Sequence, residues 1–226
     1  MIRILLVEDD IEIRRSIKYY LAEAELYEIV AVDSAEEALK RKWENFHLIL
    51  LDIMLPDMNG IELCREFRKI FQCPILFITC LDDTDTIVNA LRMGGDDYIV
   101  KPFDNQVLEA RIQANLRRVR MEHDLPEHLR LQSGSMILDP QKQALFQEGK
   151  EIPLSHLEYR LLAYMMEHRG EYFESQELYR ILWGNASNGD CRTVVVHIYN
   201  LRKKIEKNPL EPEHLINVRG KGYSWV

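Results

Sequence analysis

The sequence predicts an α/β fold, a doubly wound five-stranded parallel sheet, followed by a second domain of α+β type. Two features of the 226-residue chain lead to this prediction. In the first half, short continuous apolar runs alternate with segments of helical periodicity, which is the pattern of parallel strands covered by helices on both faces. In the second half this alternation stops, and short strand-like segments with turn residues precede three amphipathic segments.

The first half contains five strand–helix units. Its apolar runs predict strands at residues 2–7, 28–32, 48–51, 75–79 and 97–100. The periodic segments between and after them predict helices at about 11–23, 34–43, 60–71, 82–93 and 104–120. Five such units fit one doubly wound domain.

A charged stretch separates the two halves. Residues 117–130 carry many charged side chains and contain Pro126, which indicates the end of a long helix and a linker. We therefore expect a first domain at 1–121, a linker at 122–129 and a second domain at 130–226.

The second domain has clear signals for its elements. Ser155 and Glu158 form the pattern of a capping box that opens a helix. A short helix is predicted at about 175–182, a third at about 191–207, and a hairpin with a Gly-Lys-Gly tip at 216–226. The apolar stripe of the third helix consists of Val194, Ile198, Leu201 and Ile205.

The charge of the chain is unevenly distributed. The formal net charge is −8, which by itself does not indicate a nucleic-acid partner. Residues 190–207 nevertheless hold five bases against two acids. A locally basic helix on an acidic protein suggests a focused contact with an anionic partner.

Membrane and disulfide classes are not favoured. Acids interrupt the first apolar stretch after residue 7, and no apolar run approaches the length of a membrane span. The four cysteines form no CxxC pair, so we expect reduced thiols, no zinc site and a cytoplasmic location without a membrane partner.

Acids and their companions follow the predicted strands of the first domain. Glu8 and Asp9 come after the first strand, and Asp52 ends the third. Because ligands of open α/β sheets bind at the carboxyl ends of the strands, these acids should meet there, and Mg²⁺ is the leading candidate to compensate them. Thr79 and Lys101 follow later strands and offer a hydroxyl and a positive charge, as phosphoryl transfer to an aspartate requires.

The two halves each resemble a known domain. Residues 1–120 resemble the receiver domain of a two-component response regulator, through 6–10, 51–56, 77–79 and 95–103. Residues 130–226 resemble the winged-helix effector of the OmpR/PhoB family, through 154–159, 183–184, 192–198, 201–205 and 218–223. The resemblance covers nearly the whole chain and implies a flavodoxin-like receiver joined to a winged helix-turn-helix domain.

The resemblance implies a phosphorylation-activated transcriptional regulator rather than an enzyme. Asp52 would accept phosphate from a phosphohistidine on a sensor histidine kinase. Mg²⁺ would be held by Glu8, Asp9, Asp52 and the backbone carbonyl of Met54. Phosphorylation would promote a homodimer that binds repeated half-sites in double-stranded promoter DNA, with RNA polymerase as a further partner.

The remaining pocket residues would report the phosphate. Thr79 would hydrogen-bond a phosphoryl oxygen and Lys101 would pair with it. Thr79 and Tyr98 would form the switch pair, the aromatic ring turning inward as Thr79 moves. The Lys101–Pro102 bond is expected to be cis, which only proline makes cheap.

The resemblance also implies a dimer face on the fourth helix, fifth strand and fifth helix. Ile87 and Val107 stand where many relatives carry a Lys and a Glu, which suggests a more hydrophobic patch and pairing before phosphorylation. The residues matching this face are Ile87, Val88, Leu91, Asp96, Asp97, Val107, Ala110, Arg111 and Arg118, with Asp97 expected to pair with Arg111 and Asp96 with Arg118.

The third helix of the second domain would be the recognition helix in the major groove. Asn200 could read adenine and a valine could contact a thymine methyl, while the wing would reach a minor groove. The expected DNA contacts are Arg192, Thr193, Val196, Tyr199, Asn200, Arg202, Lys203, Lys204, Arg219 and Lys221.

Three alternatives fit the sequence less well. A phosphatase of the haloacid dehalogenase type needs a second acid two residues after the nucleophile, where this chain has Met54. A flavin-binding module needs a phosphate-cradling loop, whereas Glu8-Asp9-Asp10 would repel phosphate. A family member that has lost phosphorylation is disfavoured, because the five residues of the pocket are all present: Glu8, Asp9, Asp52, Thr79 and Lys101.

Overall fold

The chain forms two compact units, Met1–Arg117 and Arg118–Val226. The computed structural model describes residues 1–122, 131–140, 142, 144–184 and 190–226, without the side chains of 117–122. Most of the predicted linker at 122–129 therefore lies outside the described residues, and the exact domain bounds remain a prediction.

The first unit is a five-stranded parallel sheet in the order β2-β1-β3-β4-β5, which confirms the predicted flavodoxin-like topology. Its strands are β1 Ile2–Val7, β2 Tyr27–Val32, β3 Leu48–Asp52, β4 Ile75–Thr79 and β5 Asp97–Val100. Its helices are α1 Ile11–Ala22, α2 Ala35–Lys40, α3 Gly60–Phe67, α4 Thr84–Arg92 and α5 Asn105–Glu122. The order of connection reverses between β1 and β3, so the crevice for a ligand opens at the carboxyl ends of these two strands.

Both faces of this sheet are buried, because its central strands are apolar at almost every position. Alternate residues point to opposite faces, so Leu51 and Phe77 belong to one core layer, whereas Leu50 and Leu76 belong to the other. The helices contribute their apolar stripes to these layers, such as Phe67 of α3 to the first. Because apolar side chains cover both faces of the sheet, a polar binding or reaction site can form only at the ends of the strands.

The second unit is of α+β type. An antiparallel sheet contains β6 Leu131–Ser133, β7 Met136–Asp139, β8 Ala144–Gln147 and β9 Lys150–Pro153. The helices are α6 His156–Glu167, α7 Ser175–Trp183 and α8 Arg192–Ile205, and a hairpin of β10 Leu215–Val218 and β11 Gly222–Trp225 follows. The predicted capping box of Ser155 and Glu158 is present at the start of α6.

The described part of the second unit has one core. The three helices pack around buried Trp183 and Trp225, together with Leu161, Leu162 and Met165. Across the described parts of the chain, no helix combines the length and apolarity needed to cross a bilayer. All four cysteines are free thiols.

One arginine fastens the loops at the amino end of the first sheet. Arg68, just after α3, donates to the carbonyl oxygens of Gly94 at 2.7 Å and Cys73 at 2.6 Å, and pairs with the Asp96 carboxylate. Asp96 is buried and also accepts the Ile75 amide at 2.8 Å. This arrangement connects the loops before β4 and β5, and the Arg68 guanidinium compensates the charge of the buried Asp96 carboxylate.

We expect Arg68→Ala to lower the free energy of unfolding of the first unit by about 3 kcal/mol or more, because a buried carboxylate loses its partner. Arg65→Ala, an exposed position in the preceding helix, should change it by less than about 0.5 kcal/mol. Urea unfolding followed by circular dichroism measures both. Equal losses in the two variants would contradict the role assigned to Arg68.

Candidate functional site

An acidic cluster lies at the carboxyl ends of β1 and β3. Glu8 directly follows β1 and is fully buried, and Asp52 is the last residue of β3 and is 4% exposed. One oxygen from each of Glu8, Asp9 and Asp52 lies within 4.8 Å of the others. The sheet topology thus brings Asp52 together with two acids that are far from it in sequence.

Lys101 bridges the two buried carboxylates. This residue follows β5, and its Nζ lies 2.8 Å from Glu8 Oε1 and 2.6 Å from Asp52 Oδ2. The other oxygen of Asp52, Oδ1, accepts the backbone N–H of Met54 at 2.9 Å. The peptide bond from Lys101 to Pro102 is cis, as the family resemblance implied.

The expected switch residues lie on the neighbouring strands. Thr79 ends β4 and is fully buried, and its Oγ1 accepts the Leu81 N–H at 3.0 Å. Tyr98 lies in β5 opposite Phe77 of β4 and is partly exposed. Thr79 therefore belongs to the same edge of the sheet as Asp52, and its hydroxyl is engaged with its own loop.

The charges in this pocket perturb one another. Burial raises the pKa of Glu8 to about 7, aided by the Asp52 charge and opposed by the hydrogen bond from Lys101. Burial lowers the pKa of Lys101, but its hydrogen bonds to Asp52 and Glu8 outweigh this and raise the pKa above its ordinary value. Lys101 is thus held as a cation, while Glu8 gains a proton near neutral pH.

The donor set fits a hard divalent cation. When Glu8 is ionised, one ammonium serves two buried carboxylates, which leaves an uncompensated negative charge, and Asp9 adds another at the exposed side. Glu8 Oε2 is buried and has no hydrogen-bond partner among the described residues. Oxygen ligands with room for water on one side are the environment that Mg²⁺ prefers.

Two supporting residues were not anticipated from the sequence. A Cβ added at Gly60 would lie 2.0 Å from the carbonyl oxygen of Asp52, so only glycine permits α3 to begin this close to the pocket. Asp57 accepts the amides of Ala35 at 2.9 Å and Glu36 at 2.8 Å, which ties the loop after Asp52 to the start of α2. The Asn-Gly pair before a helix was a visible signal for Gly60, whereas nothing local marked Asp57.

The expected dimer face is less apolar at its surface than the sequence suggested. Ile87 and Leu91 are buried, because with Ala90 they form the inward stripe of α4 at helical spacing. Val107 is 45% exposed, and Val88 is partly exposed. Ala110 is also partly exposed. The expectation that Ile87 enlarges an exposed patch was therefore wrong for this structure.

The charged residues of that face are engaged within the chain. Arg111 Nη1 contacts both oxygens of Asp97, at 2.9 and 2.7 Å, and Asp97 is buried. Asp96 pairs with Arg68, a partner that sequence reasoning missed. The side chain of Arg118 lies outside the described residues, so its pairing with Asp96 remains a prediction.

Helix α8 is buried over a wider arc than its predicted apolar stripe. Thr193, Val196 and Asn200, all expected to contact DNA, are 1%, 5% and 7% exposed. The apolar stripe accounts for one packing neighbour, whereas α8 packs against both α6 and α7, with the His197 ring 6.1 Å from that of Trp183. Their burial contradicts the expectation that these three side chains are accessible to contact DNA.

Two of the expected DNA-binding cations hold the second unit together. Lys204 Nζ lies 2.6 Å from Glu158 Oε2 and 2.9 Å from the carbonyl oxygen of Pro153. Arg202 Nε donates to the carbonyl oxygen of Leu215 at 2.8 Å, and burial lowers its pKa. Both side chains thus connect α8 to other elements, which reduces their freedom to reach a phosphate.

The accessible surface of α8 carries a different set. Arg192, Lys203 and Val195 are exposed, although Arg192 pairs with the carboxylate of Asp190, and Tyr199 is partly exposed with Lys203 Nζ 4.9 Å from its ring centroid. The expected wing residues are exposed as well, between β10 and β11. They are Arg219 and Lys221, with Gly220 and Gly222 at φ +77° and +101° forming the turn.

The chain matches two family models. Residues 4–113 match the response regulator receiver domain, and residues 149–225 match the C-terminal domain of transcriptional regulatory proteins.

Two relatives are similar over almost the whole chain. The uncharacterized transcriptional regulatory protein YrkP of Bacillus subtilis (strain 168) is 38% identical over 98% of this chain and 96% of its own. The regulatory protein VanRB of Enterococcus faecalis (strain ATCC 700802 / V583) is 39% identical over the same shares, 98% and 96%.

Solved structures show the same architecture. A mutant of RitR has a TM-score of 0.81 and 24% identity over 100% of this chain and 99% of its own, which speaks for the fold alone. DrrB of Thermotoga maritima, described as an OmpR/PhoB homolog, has a TM-score of 0.52 and 27% identity over 100% and 99%.

The raised pKa of Glu8 makes the metal-free protein less stable at higher pH. Its pKa lies above that of an unfolded glutamate, so its contribution is complete below about 4.5 and is lost as pH rises through about 7. We expect the free energy of unfolding to fall by about 1–3 kcal/mol between about pH 5 and 8, measured with chelator present. Glu8→Gln should remove this component, and an unchanged pH profile in that variant would contradict it.

Lys204→Ala is expected to destabilise the second unit by about 1–3 kcal/mol, since the buried Glu158 carboxylate loses its cation. Lys203→Ala, its exposed neighbour, should cost less than about 0.5 kcal/mol and instead weaken DNA binding at low salt. Trp183 and Trp225 are buried in this unit, whereas Trp43 of the first unit is 84% exposed, so the change of tryptophan fluorescence during urea unfolding reports mainly on this unit. If the Lys204→Ala variant is as stable as wild type but binds DNA more weakly, Lys204 contacts DNA and does not mainly stabilise the fold.

Proposed function

The chain belongs to the OmpR/PhoB family of transcriptional response regulators, and on that premise we propose that Asp52 is its phosphoacceptor. Family membership makes it a phosphorylation-regulated DNA-binding protein and not an enzyme. The observation that carries the assignment of Asp52 is the Lys101 ammonium placed 2.6 Å from its carboxylate, inside an acidic cluster at the sheet edge.

The reaction would transfer a phosphoryl group from a phosphohistidine of a sensor histidine kinase. A carboxylate oxygen of Asp52 attacks phosphorus, an O–P bond forms, and the P–N bond to the histidine breaks. The Met54 N–H and Lys101 orient the two oxygens of Asp52 before the donor arrives. Lys101 would then pair with the phosphoryl oxygens, and the Thr79 hydroxyl would donate to one of them.

Glu8, Asp9, Asp52 and the backbone carbonyl of Met54 are the groups proposed to hold Mg²⁺. When bound, the ion supplies positive charge against the phosphoryl oxygens. The unpartnered Oε2 of Glu8 supports this ligand set. The buried carboxylates stay ionised only while a cation compensates their charge, because an isolated ionised group is costly to bury.

The signal would leave the pocket through Thr79. Its Oγ1 accepts the Leu81 N–H while its O–H can donate to a phosphoryl oxygen, so movement of Thr79 towards the phosphate would couple the loop after β4 to the pocket. Tyr98 on the adjacent strand is partly exposed and would turn inward behind it. New charge at Asp52 thereby biases a two-state element, as a phosphorylation switch requires.

Phosphorylation would promote a homodimer through α4, β5 and α5. Val88, Val107 and Ala110 are the partly or fully exposed apolar members of that face. The Asp97–Arg111 pair already exists within one chain, so an exchange across the dimer would replace an existing contact and favour register over strength. Pairing before phosphorylation is not part of this proposal, because Ile87 is buried.

The dimer would bind repeated half-sites in promoter DNA. The accessible side of α8, with Arg192, Val195, Tyr199 and Lys203, is proposed to enter the major groove, and the Arg219–Lys221 wing a minor groove.

We further propose that the protein acts in the cytoplasm and contacts RNA polymerase. We also propose that its two domains span residues 1–121 and 130–226. The resemblance implies that the polar loop before α8, residues 183–190, touches RNA polymerase, and residues 185–189 of this loop lie outside the described residues.

The test compares wild type with Asp52→Ala and with Asp82→Ala, an exposed acid outside the cluster. Incubation with acetyl phosphate and Mg²⁺ should add one phosphoryl group to wild type and Asp82→Ala, seen by intact-mass spectrometry. Sedimentation should then show dimers, and a gel shift should show tighter DNA binding, with Asp52→Ala unchanged in both. If Asp52→Ala responds as wild type does, Asp52 is not the switch.

A further inference from the structure

Arg14 is a charged residue beside the acidic cluster that phosphoryl chemistry does not use directly. It lies in the first turn of α1, and only 18% of its side chain is exposed. Its Nη1 donates to the backbone carbonyl oxygens of Glu8 and of Asp9, the latter at 3.0 Å. Its Nη2 lies 3.8 Å from the carboxylate of Asp33, after β2.

These contacts fall on the backbone of two proposed metal ligands. The loop between β1 and α1 is fixed at its start by the Glu8 N–H, which donates to the carbonyl oxygen of Val32 at 3.1 Å. At its end Asp10 caps α1 by accepting the amides of Glu12 and Ile13. Between these points, Arg14 donates to the carbonyls of Glu8 and Asp9, so it determines how their peptide planes are turned.

The guanidinium is suited to this role. Its planar donors keep a fixed geometry, so one group can hold two successive carbonyls, whereas the flexible ammonium of lysine holds neither orientation as strictly. A different tilt of either peptide plane would shift the Cα atoms of Glu8 and Asp9, and with them the side chains that carry the carboxylates. The carboxylates of Glu8 and Asp9 must lie within the same few ångströms as Asp52 to act together.

We propose that Arg14 is a positioning residue, which sets the Mg²⁺ affinity of the pocket by orienting the backbone of Glu8 and Asp9. This inference rests on the proposed function of the pocket. Removing residues that orient metal ligands typically costs about 10–100-fold in metal affinity. A charge effect would have the opposite sign, because deleting a nearby cation should tighten the binding of Mg²⁺.

The test is isothermal titration of Mg²⁺ into the full-length chain. Arg14→Ala should weaken Mg²⁺ binding about 10-fold or more, and Arg14→Lys, which keeps the charge but not the fork, should also weaken it. The matched control is Arg15→Ala, the exposed neighbour on the same helix, which should bind as wild type does. Circular dichroism at the titration temperature establishes that each variant is folded, and Arg14→Lys decides the question if Arg14→Ala does not fold.

A second measurement separates positioning from other effects. At saturating Mg²⁺ the phosphorylation of Arg14→Ala by acetyl phosphate should recover towards the wild-type rate, since the defect lies in metal binding. Unchanged or tighter Mg²⁺ binding in folded Arg14 variants would overturn the inference, as would a phosphorylation defect that excess Mg²⁺ does not reduce. Wild type that binds no Mg²⁺ would instead overturn the metal ligand set on which the inference rests.

Discussion

The Lys101 ammonium between Asp52 and Glu8 is the interaction on which the first unit depends for its function. Two carboxylates are buried at one sheet edge, and the same ammonium lies 2.8 Å from one and 2.6 Å from the other. A buried carboxylate without compensation would either unfold the site or hold a proton. The raised pKa of Glu8 shows that compensation by Lys101 alone is incomplete. The pocket therefore has the charge to accept a further cation, in line with the proposed binding of Mg²⁺ and a phosphoryl group.

The surrounding loops keep these charges together. The parallel sheet delivers the carboxyl ends of β1, β3 and β5 to one place, but strands alone do not fix the side chains. Gly60 allows the backbone after Asp52 to fold back closely, Asp57 anchors that loop on α2, and Arg14 turns the peptide planes after β1. The geometry of this pocket therefore depends on Gly60, Asp57 and Arg14 as well as on Glu8, Asp9, Asp52, Thr79 and Lys101.

In the second unit, the same basic side chains could either stabilise the fold or bind DNA. The basic run at the end of α8 suggests a single DNA-binding surface, yet Lys204 compensates buried Glu158 and Arg202 caps a strand carbonyl. The helix can present Arg192, Val195 and Lys203 outward because Arg202 and Lys204 fasten it to other elements. Charge counts along a helix therefore overstate how many of its cations are available to phosphate.

The sequence alone determined the alternation of strands and helices in the first unit and the polar residues at its strand ends, whereas the flavodoxin-like strand order followed from the family resemblance. Continuous apolar runs and apolar stripes at a period of 3.6 are local signals, and polar residues at the carboxyl ends of strands come to the same edge once the sheet is parallel. Tertiary structure decided the remainder. Ile87 is buried, Asn200 is not accessible, and Arg14 and Lys204 have partners that lie on other elements or loops. A one-dimensional pattern gives the face of a helix only when one neighbour packs on it, and it cannot show which of several nearby carboxylates or carbonyls a long cationic side chain will reach.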